Sequence, residues 1–372
     1  MRIPRFKLER FFAAYEFNVE HLLCGSDCES LAICDVLALE AGARERFERL
    51  GLGYTESQGS AALRHEIARI YDATGPDHVV VLAGGEEGIF LFMHAALDRS
   101  DHVVVHWPCY QSLFEVARSI GCEVSRWEAR EAEAWTLDTD ELEALLRPNT
   151  KAIVLNVPHN PTGFLMGREA FGEVDRIARE NGILLFCDEV YRELEYDSAD
   201  RLPAACDLGS HGVSLGVMSK TYGLAGLRIG WIATRNDAVR ARIAELKDYT
   251  TICASAPSAF LAEVALRHRE KIAARNLEIL SANLLTLDRF FERYADLFRW
   301  VRPVAGSIAY PRLLKGDIDA FWRAAVEEAG VLLLPGSVFD DAENHFRIGY
   351  GRKSLPAAVD RLADFVGGYG FG

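Results

Sequence analysis

The chain has no apolar stretch long enough to cross a bilayer, which argues against a helical membrane span. Its opening residues, Met1-Arg2-Ile3-Pro4-Arg5-Phe6-Lys7, mix charge with apolar side chains and lack a continuous apolar segment followed by small residues. No export signal is therefore expected, and a cytoplasmic protein is the reading. Positive charge is scarce: 41 Lys and Arg stand against 55 Asp and Glu, a formal charge of −14 with no local basic patch. Such a chain repels a phosphate backbone, so nucleic acid is not an expected partner. C-x-x-C spacing is missing among the eight cysteines, Cys24, Cys28, Cys34, Cys109, Cys122, Cys187, Cys206 and Cys253. Reduced, mostly buried thiols are the expectation, with no metal site, because Cys24 and Cys28 lack a second ligand pair. Internal repeats and low-complexity tracts are absent as well.

What is present is an enzyme-sized chain of 372 residues, 49% hydrophobic and 26% charged, enough for two or three folding units. Between about residues 60 and 235, short continuous apolar runs alternate with helical periodicity. The runs lie at 79–82, 103–105, 152–155, 183–186, 213–217 and 229–233, and the helical stretches at 61–71, 88–97, 113–120 and 168–180. This alternation predicts a parallel sheet covered on both faces. Beyond residue 237 the pattern changes to long amphipathic helices, at 238–247 and around 271–300, then short strands at 308–310, 331–334 and 346–350 and a last helix near 356–366. That predicts a smaller α+β domain. The boundaries expected are 46–255 for the large domain and 256–372 for the small one, with residues 1–45, which begin in an amphipathic piece at 8–15, packing on the small domain.

Four segments carry chemistry. In Ser219-Lys220-Thr221-Tyr222-Gly223, a lysine sits where an apolar strand gives way to a Gly-rich loop, with Arg228 eight residues later. A buried ammonium is costly unless its pKa falls or the amine is consumed in an imine, although a solvated loop lysine reads the same way. Asn156-Val157-Pro158-His159-Asn160-Pro161-Thr162-Gly163 follows another strand, where open α/β sheets bind ligands, or where a simple Pro-Gly turn sits. Asp188, in Phe186-Cys187-Asp188-Glu189-Val190-Tyr191, needs a cationic partner at a buried strand end, unless it only caps the next element. Ala83-Gly84-Gly85-Glu86-Glu87 joins a strand to a helix, and its glycines let backbone N–H groups approach a phosphate, provided the two glutamates turn away.

In order, the chain shows Gly53-Tyr54, Gly84-Gly85, Pro108-Cys109-Tyr110, Asn160-Pro161-Thr162-Gly163, Asp188-Glu189-Val190-Tyr191, Ser219-Lys220, Arg228 and Phe346-Arg347-Ile348-Gly349. Together these resemble the aspartate aminotransferase-like class I/II enzymes, the fold-type I pyridoxal phosphate (PLP) family, from about Gly53 to Gly351. The resemblance implies a large domain with a mainly parallel seven-stranded sheet covered by helices plus a smaller α+β domain. It implies PLP held as a Schiff base on Lys220, which also moves a proton between substrate Cα and the cofactor. Asp188 would pair with the ring nitrogen, Asn160 and Tyr191 with the phenolic oxygen, and Tyr110 would stack on the ring. Gly84, Gly85, Glu86, Ser219 and Arg228 would surround the phosphate, joined by Tyr54 from a second subunit of a homodimer. Arg347 would clamp the substrate carboxylate, with Gly25 and Asn160 beside it. The implied reaction is ping-pong transfer of an amino group between an L-amino acid and a 2-oxo acid.

Two departures stand out. Val217 occupies the position where many relatives carry a phosphate-binding hydroxyl, leaving Ser219 or Thr221 to substitute. The stretch 22–31 lacks the Gly-x-Pro-Asp run of broad-specificity aminotransferases and is more similar to capreomycidine-synthase-like members, which act on arginine derivatives. Asp27 or Glu29 could then meet a cationic substrate side chain, or form a solvated acidic loop. A PLP-dependent lyase, cyclase or oxidase acting on an arginine-like amino acid is the alternative reading. A PLP-binding transcription regulator is a third, disfavoured by the roughly fifty residues before Tyr54 and by the charge of −14.

Overall fold

Apolar side chains fill both faces of the central strands, so these strands read as continuous runs rather than alternations. Val103 and Val105 share one core with Val154 and Phe186, while Val104 joins Ile153, Leu155 and Leu185 in another. In the computed structural model, which describes residues 3–370, seven strands form this sheet. Their spatial order is Val79–Leu82, Gly230–Thr234, Gly212–Val217, Leu184–Asp188, Thr150–Asn156, His102–Trp107 and Glu123–Glu128. All pair in parallel except Gly230–Thr234, which is antiparallel to both neighbours. The helices Gly85–Ala96, Ser112–Ile120 and Asp237–Lys247 cover one face through Ile89, Phe92, Leu113, Phe114 and Ile243. Arg168–Glu180 covers the other, with Phe171, Val174 and Ile177 at helical spacing.

Seven strands, mainly parallel, is what the family resemblance implies, but the apolar runs mark only six of them. The seventh strand, Glu123–Glu128, buries only Trp127 and shows no apolar run, so pattern reading passes over it. The stretch expected as one helix around 271–300 is a helix at Arg269–Arg293 followed by the strand Phe298–Arg299, and a further helix, Ala256–Arg267, precedes it.

The smaller unit contains a three-stranded antiparallel sheet of Ile308–Ala309, Phe346–Gly349 and Leu334–Pro335. The N-terminal segment joins this unit through a separate two-stranded sheet, in which His21–Leu22 pairs in parallel with Val331–Leu332. Ahead of that, the helix Lys7–Tyr15 bridges the two units. The Lys7 backbone N–H donates to Gln111 (2.8 Å), the Gln111 amide donates to the Arg5 carbonyl (3.0 Å), and the Lys7 ammonium pairs with Asp340. Among the described residues no helix is long and apolar enough to cross a membrane. All eight cysteines are free thiols, and burial pushes Cys24 and Cys28 up to about 12, so both are protonated at neutral pH.

Candidate active site

Register explains why the polar segments meet. Asn156 and Asp188 end adjacent strands and lie opposite one another, and Lys220 follows the next strand, which ends at Val217. The reversed strand pairs Gly230 with both Leu82 and Val217, so its start lies where its neighbours finish. Arg228 thereby enters beside Gly84, at the carboxyl edge where ligands bind in open α/β sheets. Gly84 has a φ of +88°, which favours glycine, and a Cβ there would come within 2.6 Å of the Arg228 guanidinium and push that side chain aside.

A cavity of about 390 Å³ opens at this edge. Gly25, Gly85, Glu86, Tyr110, Asn160, Asp188, Tyr191, Ser219, Lys220, Arg228 and Arg347 all line it. Gly84 abuts Arg228 at its margin, whereas Tyr54 is 92% exposed and lies away from the cavity, beside Leu52 and the 253–257 segment.

Within the cavity, the partly buried Lys220 donates from Nζ to Ser26 Oγ at 2.8 Å. Loss of hydration holds its amine below the usual lysine value, opposed by Asp27 and reinforced by Arg347. Asp188 is buried with one weak bond, from the Val190 N–H at 3.3 Å, and burial raises its carboxyl to about 7. Arg347 is 1% exposed. It donates to Asn160 Oδ1 (3.1 Å) and to the Cys24 carbonyl (2.9 Å), which uses two of its five N–H groups and leaves Nε unpaired. Asn156 braces this wall, accepting from the Asn160 N–H (2.6 Å) and donating to the Asp188 carbonyl (2.8 Å). The buried Tyr191 hydroxyl has no partner at hydrogen-bonding geometry.

The two glutamates after the Gly-Gly turn behave differently. Glu87 accepts from the Ala83 N–H (2.5 Å) and from the Thr251 hydroxyl (2.9 Å) and does not line the cavity. Glu86 does line it, accepts from Ser112 (3.0 Å), and is shifted upward by burial. Asp27 also lines it, with Arg352 Nη2 on its carboxylate at 2.9 and 3.0 Å, while Glu29 turns away and accepts from the Lys353 N–H at 2.9 Å.

Sequence reasoning passed over Glu9, Phe12 and Glu16, which form a roof on the N-terminal helix and its end, and Ser26 on the following loop. The spacing 9, 12, 16 is one helical face, a signal present in the sequence but without an address. Glu9 accepts from the Tyr110 hydroxyl at 3.2 Å, and Phe12 lies 5.9 Å from the Arg347 guanidinium.

These residues fit pyridoxal phosphate. An under-bonded buried carboxylate, an orphaned phenol and a guanidinium with spare donors share one cavity with an amine, and each lacks a partner that this cofactor with its substrate would supply. Lys220, Asp188, Asn160, Tyr191, Tyr110, Ser219 and Arg228 are the residues that would hold it.

Behind Asn160, the buried rings of His159 and His106 stack with centroids 3.6 Å apart and planes at 14°. His159 bonds Thr162 Oγ1 and the Pro108 carbonyl, both at 2.7 Å. Burial drives His159 down to about 3 and His106 well below its ordinary 6.5. Both fold as neutral rings, so their contribution to stability is complete above the unfolded value and is lost as pH falls through the window below it. Each costs about 1.4 kcal/mol per pH unit below roughly 6.5, where only the unfolded chain takes up the proton. Urea titrations of wild type and His106→Phe should show a steeper acid loss in the wild type, and equal slopes would refute this.

The family description "Aminotransferase class I and II" matches residues 36–366. Capreomycidine synthase of Streptomyces vinaceus is 28% identical over 373 residues, covering 98% of this chain and 94% of its own. Among solved structures, a PLP-dependent aminotransferase from Streptococcus suis superposes with a TM-score of 0.93 at 30% identity, covering 98% of each chain. The PLP-dependent cyclase OrfR superposes at 0.90 and 28% identity, covering 98% of this chain and 97% of its own.

Proposed function

We propose that this chain, which belongs to the class I and II aminotransferases and takes pyridoxal phosphate as cofactor, moves an amino group between an L-amino acid and a 2-oxo acid in two half-reactions. The observation that carries this reading is the meeting, in one cavity, of the Lys220 amine, the buried Asp188 carboxylate and the buried Arg347 guanidinium. The bound cofactor supplies an electron-accepting ring conjugated to the reacting carbon. Lys220 is the residue that would hold it, and its Nζ would take the proton from substrate Cα. Its lowered basicity keeps more of the amine neutral for that task. Asp188 would pair with the ring nitrogen, a cation that would offset the burial cost raising its carboxyl. Asn160 and Tyr191 would hold the phenolic oxygen, and Tyr110 would lie against the ring. Gly84, Gly85, Ser219 and Arg228 would hold the phosphate, with Glu86 beside them bonded to Ser112. The spare N–H groups of Arg347 grip the substrate carboxylate beside Gly25, and this fixes Cα–H as the bond presented for cleavage.

The reading includes a cytoplasmic homodimer in which Tyr54 of one copy reaches the phosphate of the other. Exposed Leu52, Tyr54, Tyr249 and Ile252 support it, since such side chains are rarely left to water together. A second reading keeps every residue and changes the fate of the substrate, to elimination, cyclisation or oxidation of an arginine-like amino acid. The near full-length match to capreomycidine synthase and the likeness to OrfR favour it. Under either reading, the cavity can meet a cation: Glu9 and Glu16 line it, Asp27 being already paired with Arg352, and Glu16 forms no ion pair with the described residues.

Holoprotein given single amino acids without an acceptor separates the two. Transfer yields one 2-oxo acid per site, no ammonia, and recovery of the starting absorbance on adding a 2-oxo acid. Sustained turnover or ammonia release overturns it in favour of the second reading. In the same panel arginine, lysine or ornithine should outrank aliphatic substrates, and Glu16→Gln should cut kcat/KM for the cationic ones about tenfold.

A further inference from the structure

We propose that Ser26 positions the Lys220 amine for proton transfer at substrate Cα, an inference that rests on the reading above. Its hydroxyl is the recorded hydrogen-bond partner of Lys220 Nζ, at 2.8 Å, across 194 residues of sequence. The hydroxyl is not needed to hold its own loop. The Ser26 carbonyl is fixed by the Ser307 hydroxyl (2.8 Å), Asp27 by Arg352 (2.9 Å), and the Glu29 N–H by the Gly351 carbonyl (2.8 Å). Gly349 packs so closely on this loop that a Cβ would lie 1.6 Å from the Gly25 carbonyl oxygen. The loop is therefore rigid for other reasons, and the serine hydroxyl is turned into the cavity, where it accepts from the lysine and also meets the Tyr191 phenol.

The chemistry that follows is specific. When the neutral amine takes the Cα proton, Nζ becomes an ammonium with three donors, and one of them needs an acceptor to hold the nitrogen beside the carbon to which the proton is returned. Asp27, Asp188 and Glu9 act on this amine only through their charge, and Arg347 opposes them. Ser26 supplies the acceptor without adding a further negative charge that would trap the proton on nitrogen. With the cofactor attached, a hydroxyl accepting from the protonated nitrogen also favours the charged form.

The test uses holoprotein and two readouts. Exchange of a substrate amino acid's α-proton with D2O, followed by NMR, should slow about 10- to 100-fold in Ser26→Ala while KM stays within about threefold. Ser26→Thr, which keeps the hydroxyl, should return exchange to within about threefold of wild type. The pH midpoint of the absorbance of the lysine-bound cofactor should fall in Ser26→Ala and not in Ser26→Thr. Exchange within about twofold of wild type together with an unmoved midpoint overturns the proposal, as does a threonine variant as slow as alanine. If Ser26→Ala does not retain cofactor, Ser26→Cys, of similar size and a weaker acceptor, is read by the same criteria. If wild type exchanges no amino acid, the functional reading fails, while the midpoint shift still decides the role of Ser26.

Discussion

A Lys220→Ala protein is expected to bind pyridoxal phosphate without a covalent bond, to leave it unfixed by borohydride, and to transfer amino groups at least about 10⁴-fold more slowly than wild type. On the proposed reading two contributions vanish together: the amine that would attach the cofactor and the base that would move the proton. Nothing nearby replaces it, because no other lysine is among the described residues lining the cavity. The remaining groups within reach are poor substitutes. Tyr191 is held as a neutral phenol by burial, and Ser26 is an ordinary hydroxyl. Borohydride fixation at a different side chain, or a variant retaining more than about a tenth of the rate, would remove the basis of the assigned chemistry.

Asp188→Asn is expected to cost about 10² to 10³ in kcat/KM while cofactor binding persists. The amide has the same shape and can keep the bond from the Val190 N–H, but it cannot ionise against a positively charged ring nitrogen. Alone, the buried carboxyl is raised to about 7, so a sizeable fraction would be protonated at neutral pH, and the proposed cationic partner would restore its charge. The variant should therefore lose the driving force for electron withdrawal rather than the fold, and thermal melting of the holoprotein serves as control. A rate within about fivefold of wild type would show that ring protonation is set elsewhere.

How much of this was legible in the sequence follows from burial. The six apolar runs are visible because both faces of those strands are covered, whereas Glu123–Glu128, at the sheet edge with one buried tryptophan, carries no run at all. The helix Ala256–Arg267 hides for a related reason: Pro257 reads as a breaker, yet it stands in the first turn, where a missing N–H costs nothing. At the site, residues following strand ends announce themselves through polarity after an apolar run, as with Asn156, Asp188 and Lys220. Gly25 was legible only through family resemblance, and Glu9, Phe12, Glu16 and Ser26 were not legible as site residues. Their role depends on the N-terminal segment crossing back over the sheet, a contact that local periodicity does not encode.

That crossing also sets a schedule for biosynthesis. Lys220 is bonded to a residue 194 positions earlier, while Arg347 reaches back 323 positions to Cys24 and Arg352 reaches back 325 to Asp27. A nascent chain can complete its central sheet, whose last strand ends at Thr234, before Arg347 and Arg352 are made, so the contacts to Cys24 and Asp27 close only after the sheet is whole. On the proposed reading, a chain that stopped short of Arg347 would keep the lysine but lack the guanidinium that orients a substrate against it.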